Sequence, residues 1–145
     1  MIKIGIIGCG NISKFHIPAL QKVGFSIVGI SGRDGSEVKL EKFSRENNII
    51  GSKIFSSSLE LIHSNTWDAL LICCPTVNSL EYLNIAAKYK KPILVEKPIN
   101  YKSEKLYPLL EYKNIKVAFN RRFYESVKFA KKFYHENNIS LIKVS

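Results

Sequence analysis

Short runs of β-branched and aliphatic residues alternate with longer segments of helical period along the whole chain. No other feature restricts the fold as much. "IKIGIIG" (2–8), "FSIVGIS" (25–31), "SKIF" (52–55), "DALLICC" (68–74), "PILVEKP" (92–98) and "IKVAFN" (115–120) read as six strands, and "ISLIKVS" (139–145) begins one more. Between them, 11–23 places Ile12, Phe15, Leu20 and Val23 on one helix face, and 35–48 reads as a helix opened by Ser36. Further helices are expected over 58–65 with Ser58 as the cap, over 77–91, over 102–113 with Pro108 placed to split it, and over 125–138. Strands that alternate with helices build a mainly parallel sheet covered on both faces, a doubly wound α/β domain. "DALLICC" is apolar almost throughout, as a strand buried on both faces must be.

A chain of 145 residues buries a sound core as one domain. Its longest apolar run, Ala69 to Cys74, falls far short of the roughly 20 residues that cross a bilayer, so no membrane partner is expected. "MIKIGIIGCG" is broken by glycine and lacks a small-residue cleavage site, which predicts a cytoplasmic protein rather than a secreted one. Cys9, Cys73 and Cys74 form no C-x-x-C pair and have no metal partners at suitable spacing; they read as small buried residues, with no metal site. The net charge of +10 raises nucleic acid as a partner. The lysines are scattered, however, and adjacent basic pairs occur only at 90–91, 121–122 and 131–132, so nucleic acid is not expected. An anionic small ligand or a lysine-rich solvated surface accounts for the charge as well.

The first strand leads into "GIIGCGNIS". Gly8, Gly10 and Ser13 hold the G-x-G-x-x-G/A spacing, with Ser13 as a small stand-in for the third glycine. Gly8 permits a tight turn, Gly10 lets a pyrophosphate approach the backbone, and a small third residue lets helix and strand pack closely. Amides at the helix start then face the phosphates along the favourable end of the dipole. The motif sits between a strand and a helix, as a dinucleotide site requires; the alternative is a structural turn that binds nothing.

The second strand should end in the group that reads the adenosine ribose, an acid for NAD or a nearby arginine for NADP. It ends "ISGRDG". Gly32 leaves that end without an acid, Arg33 follows, and Asp34 either binds the ribose or caps the next helix. This favours NADP over NAD. The fifth strand closes in "VEKP", which places Lys97 at the carboxyl end where a nicotinamide lies; it can hydrogen-bond a substrate oxygen and exchange a proton as hydride moves. Glu96 points to the opposite face, holding neighbouring backbone. Taken alone, the tripeptide reads equally as a solvated lysine before a turn.

"GIIGCGNISKFHIPAL", "SGRD", "ICCPT", "AAKYKKPILVEKPI" and "VAFNRRF", in that order, resemble the N-terminal domain of the Gfo/Idh/MocA oxidoreductases. The resemblance spans positions 4 to about 123. It implies a Rossmann-like NAD(P)-binding domain over 1–122, and over 123–145 a connecting helix and first strand of a second, α+β domain that is otherwise absent. It implies that Gly8, Gly10, Asn11 and Ile12 bind pyrophosphate and that Cys74, Pro75 and Thr76 line the cofactor site. By the same resemblance Glu96 helps to place the nicotinamide, Lys97 belongs to the catalytic machinery, Asn120 and Arg121 lie near the cleft, and the Lys97–Pro98 peptide is cis. The substrate class implied is a sugar, polyol or nucleotide-sugar. Where the family often reads P-N-x-x-H, this chain has Thr76 and Ser79 in "PTVNS". His16 matches a histidine common after the glycine loop, and reads first as a packed, hydrogen-bonded residue. Apolar surface left by the absent half points to a homo-oligomer. The competing expectation is a dinucleotide-binding module without catalytic activity.

Overall fold

Six strands form one parallel sheet in the computed structural model, which describes residues 1–137. They are β1 (Lys3–Ile7), β2 (Ser26–Ser31), β3 (Lys53–Phe55), β4 (Ala69–Ile72), β5 (Ile93–Val95) and β6 (Ile115–Val117), in the spatial order β3-β2-β1-β4-β5-β6. Every neighbouring pair is parallel. The strand order reverses between β1 and β4, which is where a doubly wound sheet opens a crevice at its carboxyl edge. The strand expected over 139–145 lies outside the described residues.

The α-helices are α1 (Ser13–Lys22), α2 (Glu37–Glu46), α3 (Ser58–Ser64), α4 (Thr76–Ala87) and α5 (Glu125–Glu136). The period-2 alternation of the strands divides the core into two layers. Ile4, Ile6, Ile30 and Leu71 meet Ile17 of α1 and Leu40 and Phe43 of α2 on one face. Ile7, Leu70, Ile72, Ile93 and Val95 meet Leu61 and Ile62 of α3 and Leu83 and Ala86 of α4 on the other.

Four local expectations are corrected. The face expected from Ile12, Phe15, Leu20 and Val23 is not the packed one: Ile12, Phe15 and Val23 are exposed, and α1 buries Ser13 and Ile17 against the sheet. The segment expected as a helix over 102–113 is a 3-10 helix, Ser103–Glu111. Pro108 within it has no N–H, and its ring crowds the carbonyl four residues back, so α-helical bonding cannot run through it. The cap of α3 is Ser57, not Ser58: the Ser57 hydroxyl accepts from the Glu60 amide at 3.1 Å, while Ser58 turns inward to the Ser31 hydroxyl at 3.2 Å. The sixth strand ends at Val117, and Asn120–Phe123 is a 3-10 turn. Helix α5 buries none of its residues, and its aromatic side chains Phe129, Phe133 and Tyr134 are exposed.

Candidate functional site

Parallel register brings the sequence-predicted residues to one edge. Ladder bonds run on past the strand ends: the Gly8 amide donates to the Ser31 carbonyl at 2.9 Å, Cys73 to Ile7 at 2.7 Å, Glu96 to Ile72 at 2.8 Å and Ala118 to Val95 at 2.9 Å. The glycine loop, Gly32, the Cys73–Cys74 step and the Glu96–Lys97 step therefore share the carboxyl edge of the sheet.

The two loop glycines answer to different demands. Gly8 has φ +92°, and a Cβ there would lie 2.6 Å from the Cys74 nitrogen and 2.7 Å from the Cys73 carbonyl carbon. The backbones of β1 and β4 meet too closely for a side chain. At Gly10 a Cβ would meet nothing within 4 Å, so that position is open. Ser13 is more than a small residue: its buried hydroxyl accepts from the Gly10 amide at 2.9 Å and donates to the Gly10 carbonyl at 2.8 Å, tying the turn to the start of α1. The Gly10 amide is thereby engaged. The Asn11 and Ile12 amides have no hydrogen-bond partner among the described residues, and both residues are exposed. Open space at Gly10 beside two free amides at a helix start fits a diphosphate.

At the end of β2, a Cβ on Gly32 would lie 2.8 Å from the Ser36 hydroxyl oxygen and 3.2 Å from Leu40. The opening of α2 thus crowds the position where an acid would sit. The Ser36 hydroxyl donates to the Arg33 carbonyl. Ser36 is the cap residue of α2 by position, though its side chain makes no cap bond, so Asp34 does not cap that helix. Arg33 and Asp34 are exposed, and their side chains bond no other described residue.

Beyond β4, Pro75 precedes α4 and Thr76 opens it. Ser79 is buried, and its hydroxyl lies beside the Cys74 thiol. Burial pushes the Cys9 and Cys73 thiols up to about 12 and Cys74 to about 11; the Glu96 charge adds to the rise at Cys73. All three thiols are protonated near neutrality.

The Lys97–Pro98 peptide is cis. Glu96 accepts the Lys97 amide on Oε2 at 3.2 Å, as a carboxylate holding neighbouring backbone should, and the Lys97 Nζ lies 4.0 Å from the same oxygen. Its other oxygen, Oε1, accepts from His16 Nε2 at 2.8 Å. This His16–Glu96 pair was missed in the sequence. Alternation could have found it: Leu94 packs with the α1–α2 layer and Val95 with the α3–α4 layer, so Glu96 returns to the face that α1 covers. Asn120 and Arg121 follow β6 at the same edge, exposed and without side-chain bonds to described residues. Two concavities of about 250 and 260 Å³, beside Arg45 and Gly51 and beside His63 and Tyr89, lie away from this edge.

No group of three or more metal-ligating side chains occurs among the described residues, and no helix among them is long and apolar enough to cross a membrane.

Residues 2–121 match the model of a family described as an oxidoreductase family with an NAD-binding Rossmann fold. The chain is 33% identical to the uncharacterised oxidoreductase YrbE of Bacillus subtilis over 128 residues, covering 84% of this chain and 36% of that protein. It is 28% identical to a myo-inositol 2-dehydrogenase of Thermotoga maritima, covering 95% of this chain and 42% of that one. The crystal structure of a Lactobacillus casei myo-inositol dehydrogenase with NAD(H) and myo-inositol superposes with a TM-score of 0.83 at 22% identity, over 94% of this chain and 42% of that one. The chain therefore spans less than half the length of these relatives.

Proposed function

The chain belongs to the Gfo/Idh/MocA oxidoreductases with an NAD-binding Rossmann fold, and from that premise we propose that it is the cofactor-binding part of an enzyme that moves hydride between a nicotinamide and the carbinol carbon of a sugar, polyol or nucleotide-sugar. The observation that carries the reading is the shared edge. Free amides at Asn11 and Ile12, with open space at Gly10, share it with a lysine held beside a carboxylate.

Gly8 and Gly10 shape the turn, and the Asn11 and Ile12 amides hold the pyrophosphate. Cys74, Pro75 and Thr76 line the groove between the halves of the sheet. Glu96, Asn120 and Arg121 border the nicotinamide end. A bound nicotinamide supplies the carbon that accepts or donates hydride. Lys97 hydrogen-bonds the substrate oxygen, takes its proton when the carbinol is oxidised and returns one when the carbonyl is reduced.

NADP is the favoured cofactor. Gly32 leaves the end of β2 without an acid, while Arg33 presents an unengaged guanidinium to a 2′-phosphate. The exposed aromatic stripe of α5 supports self-association.

The test is titration calorimetry with NADPH and NADH. Calorimetry is preferred to protein emission because Trp67, the single tryptophan, precedes β4 and so lies at the opposite edge of the sheet. Saturable binding is expected, with Arg33→Ala weakening NADPH at least fivefold more than NADH. No binding of either nucleotide overturns the reading; an unchanged ratio overturns the cofactor preference. Turnover with a panel of polyols, sugars and nucleotide-sugars, lost in Lys97→Ala, is the expected result for catalysis. Equal background in both proteins refutes it.

A further inference from the structure

We propose that His16 is a positioning residue: it fixes the Glu96 carboxylate, and through it Lys97, at the nicotinamide end of the crevice. The proposal rests on the dinucleotide reading above and adds to it a coupling between the phosphate-binding helix and the lysine.

His16 belongs to α1, three residues after Ser13, whose hydroxyl ties the glycine loop. Its Nε2 meets Glu96 Oε1 at 2.8 Å, and an ionised carboxylate only accepts, so the imidazole N–H donates. The remaining oxygen, Oε2, accepts the Lys97 amide at 3.2 Å and lies 4.0 Å from Nζ. The carboxylate is thus divided, one oxygen to α1 and one to the lysine. Glu96, the middle of the three, is also the least exposed: its side chain is 15% exposed, against 24% for His16 and 45% for Lys97. The anion is the sheltered member, where a fixed partner matters most.

The arrangement does what simple packing would not. A half-exposed lysine samples many rotamers, and a fixed anion beside it narrows them. Glu96 is itself fixed by a side chain from the helix that begins at the diphosphate amides. Whatever seats the start of α1 therefore seats His16 one turn later, and with it the charge that faces Lys97. The pair bridges α1 and the end of β5 across the point where the strand order reverses.

ADP-ribose and NADH separate this role from a structural one, because both carry the diphosphate and only NADH carries the nicotinamide. Calorimetric titrations use the full chain, His16→Ala and His16→Gln. His16→Ala should weaken NADH about fivefold to tenfold, as expected for a lost hydrogen bond to a partly sheltered charge. ADP-ribose affinity should stay within about twofold. His16→Gln keeps a donor on the same side and should restore most of the difference. Combined with Glu96→Ala, His16→Ala should add nothing to the loss from Glu96→Ala alone. Equal loss for both ligands, or loss for neither, overturns the positioning role. Failure of the unmodified chain to bind both NADH and NADPH overturns the dinucleotide reading, and this proposal with it. Urea midpoints of each variant, read alongside, separate a folding defect from a binding one.

Discussion

Gly8 and Gly10 stand two residues apart, yet their replacement by alanine should fail in opposite ways. At Gly8 the backbone has φ +92°, which costs a non-glycine residue about 1–2 kcal/mol. The added methyl would also lie 2.6–2.8 Å from the nitrogen of Cys74 and the carbonyl of Cys73. These atoms cannot yield cheaply, because the Cys73 amide is bonded to the Ile7 carbonyl at 2.7 Å as part of the β1–β4 pairing. Overlap of this kind costs about 1–3 kcal/mol. Gly8→Ala should therefore lose about 2–5 kcal/mol from a domain total of about 5–15 kcal/mol. Urea unfolding followed by circular dichroism reads this as a midpoint lowered by about 1–3 M, for a slope near 1.5 kcal/mol/M that itself stays unchanged. Gly10 has no left-handed φ and nothing within 4 Å. Gly10→Ala should keep its midpoint within about 0.3 M, a surface-like effect, and lose nucleotide affinity about tenfold as the methyl fills the space beside the free amides. An unmoved midpoint for Gly8→Ala, or two variants that unfold alike, would refute the reasoning.

Away from the crevice, Trp67→Phe removes an indole N–H that donates at 3.2 Å to both the Leu61 and Ile62 carbonyls, near the end of α3. The Leu61 carbonyl keeps the Ser64 hydroxyl at 2.7 Å and the Ile62 carbonyl keeps the Asn65 amide at 3.3 Å, so the loss is that of one shared bond from a fully buried ring, about 1 kcal/mol or roughly 3–5 °C in Tm; an unchanged Tm would contradict that account. The thiols give a pH-dependent prediction. Burial holds Cys9 and Cys73 up at about 12 and Cys74 at about 11, against 9.0 for an ordinary thiol, so the thiolate fraction that iodoacetamide alkylates at pH 8 should be about a hundredfold lower at Cys74, and about a thousandfold lower at Cys9 and Cys73, than in urea. Between pH 9 and the folded values the unfolded chain holds fewer protons than the folded one, so stability falls as pH rises through that window. Urea midpoints at pH 8, 9.5 and 10.5 should show a shallower fall for the Cys9→Ala/Cys73→Ala variant than for the parent chain. Identical slopes would remove the thiols from the explanation.

The features legible in the sequence are those that rest on local chemistry. A glycine at a tight turn, a strand apolar on both faces and a run of helical period each announce themselves within a short stretch of chain. Gly8, β4 and α4 are legible in that way. Features that depend on a distant partner were hidden. His16 and Glu96 are 80 positions apart, and only the division of β5 between two packing layers brings them together. Ser57 and Ser58 are equivalent as local signals. The choice between them falls to Ser31, which takes the Ser58 hydroxyl into the core and leaves Ser57 for the cap. The segment around Pro108 carried both messages, a helical apolar pattern and a residue that forbids α-helical bonding, and a 3-10 helix is the compromise.

The central place of β1 bears on how the chain is made. Its segment "KIGII" leaves the ribosome before the other five strands, yet one of its two neighbours, β4, starts about sixty residues later. At roughly 5–20 residues per second, β1 waits about 3–12 s with one edge unpaired. An isoleucine-rich edge held open that long invites pairing with another nascent chain, so yield should depend on synthesis rate and on whatever shelters the first seventy or so residues during translation.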